Sequence, residues 1–204
     1  MRVPALLGAL AVLSALLYRL LRRRERERAQ VLFFPVEPVM CARPLCARGR
    51  GPCECGLWQR ERAACRLCAL LLTAQRTLDV CVFTISSREL AHAVLVLHRR
   101  GVRVRVITDS GHMALAASQV GNFRRAGIEV RHDQDTNYMH HKFAIVDGSI
   151  LLNGSLNWSS QAIYGNKENV IVVKLPDIVN PFVEEFESLW NEYDPSKFIF
   201  SPQK

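Results

Sequence analysis

Hydrophobic positions change rhythm along this chain of 204 residues, and each change predicts an element. Residues 3–21, VPALLGALAVLSALLYRLL, are apolar apart from Arg19. As a helix rising about 1.5 Å per residue they would extend roughly 28 Å, near the thickness of a bilayer core. VLFFPVEPVM (31–40) is apolar but broken by two prolines, which predicts an extended entry segment. Residues 41–60, CARPLCARGRGPCECGLWQR, follow no helical or strand period and read as an irregular loop. From Arg62 to Thr77 the apolar spacing predicts a helix.

Strands and helices then alternate. LDVCVFTI (78–85) reads as a buried strand, and Ser86 or Ser87 caps a predicted helix running to Arg100. VRVRVITD (102–109) is the next strand, followed by a helix over 112–126 stopped by Gly127, and then the strand IEVRHD (128–133). HKFAIVDG and SILLNGS read as two strands turning at Asp147-Gly148, a strong hairpin signal. ENVIVVK (168–174) is a further strand and PDIVNPFVEEFESLWNEY (176–193) an amphipathic helix. The order implies an α/β layered fold, a mixed β-sheet flanked by helices, and no unit occurs twice.

Charge sharpens the picture at the N-terminus. Residues 1–30 hold seven arginines against Glu25 and Glu27, a net of +5 out of +8 for the whole chain. The rest is mildly basic, which permits a nucleic-acid or anionic-lipid partner without demanding one. Positive charge placed after the apolar run argues against a cleaved signal peptide. It predicts a transmembrane helix with the C-terminal body on the cytosolic side. The domains expected are therefore an anchor with its basic flank over 1–30 and a folded body over 31–204.

Candidate chemistry concentrates in YMHHKFAIVDGSILLNGSLNWSS (138–160). The pattern is His140, Lys142, Asp147, Gly154, Ser155 and Asn157. On a strand, residues two apart share a face, so His140 points with Lys142 and His141 points away. A neutral imidazole beside an ammonium suits in-line attack on phosphorus, with the lysine neutralising phosphoryl oxygens. Gly154 allows close backbone approach, and Ser155 and Asn157 can donate to the same oxygens. His92, His98, His112, His132 and His141 read as structural or surface residues, and Trp158 as core.

HKFAIVDGSILLNGSLN matches HxKxxxxD followed by GSxN without a gap, and so resembles the phospholipase D superfamily with its HKD motif. LDVCVFTISSREL, HRRGVRVRVITD, RHDQD and MHHKFAIVD resemble one mitochondrial branch of that superfamily, over about residues 31–200. The resemblance implies a layered phospholipase D-like fold. It also implies a homodimer, because a chain with one motif completes its site with a second copy across a two-fold axis. One His140 would form a phosphohistidine and the other would serve as general acid and base. Lys142, Ser155 and Asn157 would cradle the phosphate, while Asp147 and Glu168 would orient the imidazoles. No cofactor is needed for catalysis on this reading.

Six of the seven cysteines fall between residues 41 and 68. Cys53-x-Cys55 and Cys65-x2-Cys68, with Cys41 and Cys46 upstream, offer enough thiolates for a structural zinc site. The resemblance maps a three-Cys, one-His zinc module onto Cys41, Cys53 and Cys55. Gln59 stands where its histidine would fall, so Cys65 or Cys68 is the expected fourth ligand.

Two substrates fit a branch of this kind. The favoured expectation is a single-strand-specific endoribonuclease of piRNA biogenesis and transposon silencing, single-pass in the mitochondrial outer membrane. The alternative is hydrolysis of cardiolipin to phosphatidic acid, and a non-catalytic membrane scaffold is the third reading.

Overall fold

The computed structural model describes residues 12–18, 28–36, 63–134 and 137–197. Residues 12–18 are helical and exposed, and the rest of the expected anchor lies outside the described residues. Among those described, no helix is long and apolar enough to cross a membrane.

Among the described residues seven strands form one sheet: β1 (Ala29–Phe34), β2 (Thr77–Val82), β3 (Arg103–Thr108), β4 (Glu129–His132), β5 (Lys142–Val146), β6 (Ile150–Gly154) and β7 (Glu168–Val173). Their spatial order is β1-β7-β6-β5-β2-β3-β4. β2, β3 and β4 run parallel. β5 pairs antiparallel with β2, and β6, β7 and β1 continue antiparallel from it. The mixed sheet expected from the alternation is present.

Period-2 alternation sorts the strands into two cores. Leu78, Val80, Val82, Val104, Val106, Ala144 and Leu152 face one layer. It is filled by α1 (Ala63–Leu71), α2 (Arg88–Arg99), α4 (Val120–Arg125) and α5 (Ser160–Tyr164). Cys81, Ile107, Phe143, Ile145 and Leu151 face α6 (Pro176–Glu192), which contributes Val179, Phe186 and Trp190. Burying such side chains stabilises by roughly 1.5–3 kcal/mol each, so the two layers together fix the sheet.

Arg105 pins α6 to the sheet. Its Nε donates to Asp79 at 2.7 Å, and its Nη atoms donate to both oxygens of Glu187 at 3.0 and 2.6 Å. The guanidinium also lies 4.8 Å from the ring centre of Phe186. Asp79 is buried, and this pairing is what permits a carboxylate there.

Two expectations need correction, and the extended entry segment gains a partner. The helix predicted over 62–77 ends at Leu71, because Gln75, Arg76 and Thr77 give their N–H groups to Asp147 instead. The helix predicted over 112–126 is two short ones, α3 (Ser110–Met113) and α4, because the Gln119 N–H turns away to the Ile85 carbonyl at 2.9 Å. The entry segment after the basic flank includes a strand, β1, paired along its length with β7.

Candidate active site

The carboxyl ends of β2 and β3 meet the start of β5, the end of β6 and the start of β7 at one edge of the sheet, as their pairing requires. This is the edge at which α/β folds place their ligands. His140 lies two residues before β5, and Lys142 is that strand's first residue. The ladder extends beyond the named strands, with the Phe83 N–H donating to the His141 carbonyl at 2.9 Å.

The alternation read from the sequence holds at the twin histidines. His141 turns toward α6, its Nε2 3.3 Å from Glu185, and packs edge-on against Phe143. His140 turns the other way with Lys142. The Lys142 Nζ donates to the His140 carbonyl at 2.7 Å and lies 3.2 Å from Nδ1 and 3.3 Å from Nε2 of the imidazole. Near-equal approach to both nitrogens sets the ammonium against the face of the ring, which leaves the in-plane lone pair of the neutral imidazole available. Removal from water and then the Lys142 charge hold the His140 pKa below its ordinary value, which favours the neutral, nucleophilic imidazole. Lys142 is also lowered by partial burial, and the Glu168 carboxylate opposes that shift.

Ser155 and Asn157 follow β6 at the same edge. The Ser155 Oγ accepts the Asn169 N–H at 3.1 Å and keeps its own proton to donate, and the residue is exposed. The Asn157 Oδ1 is buried without a hydrogen-bond partner, an orphaned polar atom beside the site. Gly154 serves a different end from the one expected. A Cβ there would fall 2.0 Å from the Asn169 carbonyl oxygen, so the glycine admits strand β7 rather than substrate.

Asp147 does not join this group. Seven residues of extended chain separate it from His140, roughly 23 Å at about 3.3 Å per residue. It sits in the β5–β6 turn with φ 51°, and its carboxylate accepts the N–H groups of Gln75, Arg76 and Thr77 at 2.9, 2.7 and 2.9 Å. The expectation that it orients an imidazole is corrected to that of a brace at the opposite edge. Burial alone would raise its carboxyl, and the three amides more than reverse this, leaving it below the usual range. Glu168 likewise meets Asn166, whose Nδ2 donates at 3.0 Å, rather than the imidazole of its own chain.

Sequence reasoning missed four residues. Phe83, at the end of β2, is the floor of the site: its ring centre is 4.6 Å from that of His140, 3.9 Å from His112 and 5.6 Å from Tyr138. The Lys142 Nζ lies 5.2 Å from the same ring. Asp109 ends β3 and accepts from both the backbone N–H and the Nδ1 of His112, each at 2.9 Å. Buried Asp133 accepts the Ser110 N–H at 2.6 Å and the Met139 N–H at 3.3 Å, tying α3 to the segment that delivers His140. The one signal available was RHDQD shortly before the motif, which contains Asp133 but did not single it out.

Of the cysteine ligands expected, Cys41, Cys46, Cys53 and Cys55 lie outside the described residues. Cys65 is half-buried on α1, while Cys68 is buried in the larger core. Among the described residues, no three His, Cys, Asp or Glu side chains converge as a metal-holding group. Trp158 is core, as expected.

Comparison with known proteins agrees with this geometry. The family described as "Cardiolipin synthase, PLD-like domain" matches residues 67–190. A mitochondrial cardiolipin hydrolase of Xenopus laevis is 51% identical over 203 residues, covering 100% of this chain and 95% of that protein. One of Homo sapiens is 50% identical over 190 residues, covering 89% and 75%. Among solved structures, the phospholipase D family member Nuc of Salmonella typhimurium superposes with TM-score 0.65 at 21% identity, covering 81% of this chain and 95% of that one. NucT of Helicobacter pylori gives 0.61 at 19% identity, covering 80% and 96%. With that fold, the His140–Lys142 pair at its carboxyl edge and relatives of this identity, the chain belongs to the phospholipase D superfamily of phosphodiesterases.

Proposed function

We propose that this chain hydrolyses cardiolipin at the mitochondrial outer membrane, releasing phosphatidic acid through a phosphohistidine on His140. The observation that carries the reading is the Lys142 ammonium held against the imidazole, 3.2 and 3.3 Å from its nitrogens. Relatives at 50–51% identity bear the name mitochondrial cardiolipin hydrolase, which supports the substrate.

The neutral His140 nitrogen attacks phosphorus in line and forms a P–N bond as the P–O bond to the leaving glycerol oxygen breaks. His140 of a second copy of the chain protonates that oxygen, then takes a proton from water. The resulting hydroxide displaces the histidine and restores both imidazoles. Lys142, the Ser155 hydroxyl and the Asn157 amide hold the non-bridging oxygens, so protein groups carry the charge developed in the transition state. Residues 31–204 form the catalytic body, and residues 1–30 anchor it with the site facing the cytosol. Cys41, Cys53, Cys55 and Cys65 would hold a structural zinc ion.

Cleavage of single-stranded RNA, as in piRNA biogenesis, is the second reading. It is favoured by Tyr138, two residues before His140 and 72% exposed, which offers a stacking surface for a base at the mouth of the site. The deciding experiment presents cardiolipin vesicles and single-stranded RNA in parallel to the wild-type protein and His140→Ala. Phosphatidic acid released by wild type alone supports the main reading. RNA cleaved by wild type alone, with vesicles untouched, replaces it with the second. Turnover of either substrate by His140→Ala at the wild-type rate rejects this site for that reaction.

A further inference from the structure

We infer that His112, held by Asp109, is a second substrate-contacting imidazole of this site and binds an anionic oxygen of the phosphodiester that His140 attacks. The inference rests on the proposed role of His140 and adds a residue outside the HKD and GSxN motifs.

Three observations carry it. First, the Asp109 carboxylate is 2% exposed and uses one oxygen for both the backbone N–H and the Nδ1 of His112, each at 2.9 Å. The backbone bond alone caps α3, so the ring bond is additional to what the four-residue helix requires. In that ring bond Nδ1 carries the proton and donates it to the carboxylate oxygen, which leaves Nε2, on the opposite edge, for another partner.

Second, the His112 ring packs on Phe83, the phenyl group that also carries His140 and the Lys142 ammonium. The two histidines are also close enough for the His112 charge to act on His140. The His112 side chain is 32% exposed, so the imidazole is partly open to solvent.

Third, the two histidines are mechanically joined. Asp133 accepts from Ser110, two residues before His112, and from Met139, the residue before His140. A loop that carried His112 only for packing would need no such tie to the nucleophile's own segment. With Nδ1 bonded to Asp109, an Nε2–H on the far edge of the ring adds a donor beside Lys142 for a diester oxygen.

Three variants test this: His112→Phe, which keeps a ring on Phe83 without nitrogens, His112→Gln, which restores a donor, and Asp109→Asn. Each is measured for kcat and KM on bis(4-nitrophenyl) phosphate, a minimal diester, and on cardiolipin vesicles. His112→Phe is expected to raise KM about ten- to a hundredfold, the range of one charge-assisted hydrogen bond, with kcat within about threefold of wild type. His112→Gln should recover part of the loss, and Asp109→Asn should shift KM in the same direction as His112→Phe. An unchanged KM in His112→Phe overturns the inference, as does a fall in kcat alone. If His112→Phe does not fold, His112→Gln decides: a KM between wild type and Asp109→Asn supports contact, and a wild-type KM overturns it.

Binding without turnover separates this inference from the proposed reaction. Vesicle binding by His140→Ala is compared with that of His140→Ala/His112→Phe. Weaker binding by the double variant supports the contact, and equal binding overturns it. Turnover by His140→Ala would overturn the proposed function whichever way the His112 variants behave.

Discussion

Asp147 Oδ1 accepts the backbone N–H of Arg76 at 2.7 Å, and with the neighbouring amides of Gln75 and Thr77 this fastens the β5–β6 turn to the start of β2. The third letter of the HKD motif is therefore a fold residue in this chain. Asp147→Asn keeps one acceptor oxygen and tolerates the positive φ, but it turns an NH2 group toward N–H donors. The expected cost is about 2 kcal/mol, read as a lower denaturation midpoint, with kcat near wild type once folded. The pH dependence has a definite sign. The folded carboxyl lies below its ordinary 3.8, so its stabilisation is complete above that value and is lost as pH falls through the lower folded one. Asp147→Asn should lack this acid-sensitive part. A wild-type midpoint together with lost activity would return Asp147 to the catalytic group.

Lys142 should be visible in the titration of its neighbour. The His140 pKa is lowered from 6.5, by removal from water first and the Lys142 charge second. In Lys142→Gln the second cause disappears and the first remains, so the His140 pKa should rise toward 6.5 without reaching it. Ring-proton or nitrogen chemical shifts followed through pH by NMR give the value in both proteins. In wild type the same lowering places the acid limb of kcat/KM below pH 6.5, since the nucleophile must be neutral. A His140 pKa that stays fixed or falls in Lys142→Gln would show that the ammonium is not acting on the ring.

Much of this was legible from local pattern. A continuous apolar run marked β2, strand runs between helices marked β3, β5 and β7, Asp147-Gly148 marked the hairpin, and alternation separated His140 from His141. Motif spacing singled out Asp147 but said nothing of its role, because spacing records membership in a pattern and not which partner a carboxylate meets. The edge pairing of β1 with β7 joins segments far apart in the chain, and no local rhythm encodes it. Met113, Val120 and Phe123 share helical spacing, yet the tertiary bond from Gln119 to Ile85 breaks that helix. Phe83, Asp109, His112 and Asp133 come from three separate segments, and only the sheet brings them to one edge.

Gly154 provides a test of how tightly that edge is built. A Cβ on it would lie 2.0 Å from the Asn169 oxygen, 2.9 Å from the carbon of that carbonyl and 3.0 Å from the Val170 Cα, all backbone atoms that cannot swing aside. Gly154→Ala must push β7 away from β6 and break the paired bonds between Ser155 and Asn169, both 3.1 Å. The expected loss is about 2–4 kcal/mol, with kcat falling in parallel because Ser155 loses the Asn169 partner that positions its hydroxyl. Thermal denaturation and turnover measured on the same sample check both halves. A variant with the wild-type midpoint would mean that the strands part at little cost.

On the proposed mechanism His140 of a second copy serves the leaving group, and mixing experiments test that requirement. Wild type and His140→Ala are combined in equal amounts and allowed to exchange subunits. In a shared site each turnover requires His140 from both chains, so only wild-type pairs work. About a quarter of dimers are then active, where independent sites would leave about half the original rate per total subunit unlost. Total activity should therefore fall as His140→Ala is added to a fixed amount of wild type, because the inactive chain withdraws active partners. The dimer fraction is followed by sedimentation in the same samples. Activity that stays constant as His140→Ala is added, with subunit exchange demonstrated by a tag, would place the entire reaction within one chain and remove the partner's histidine from the mechanism.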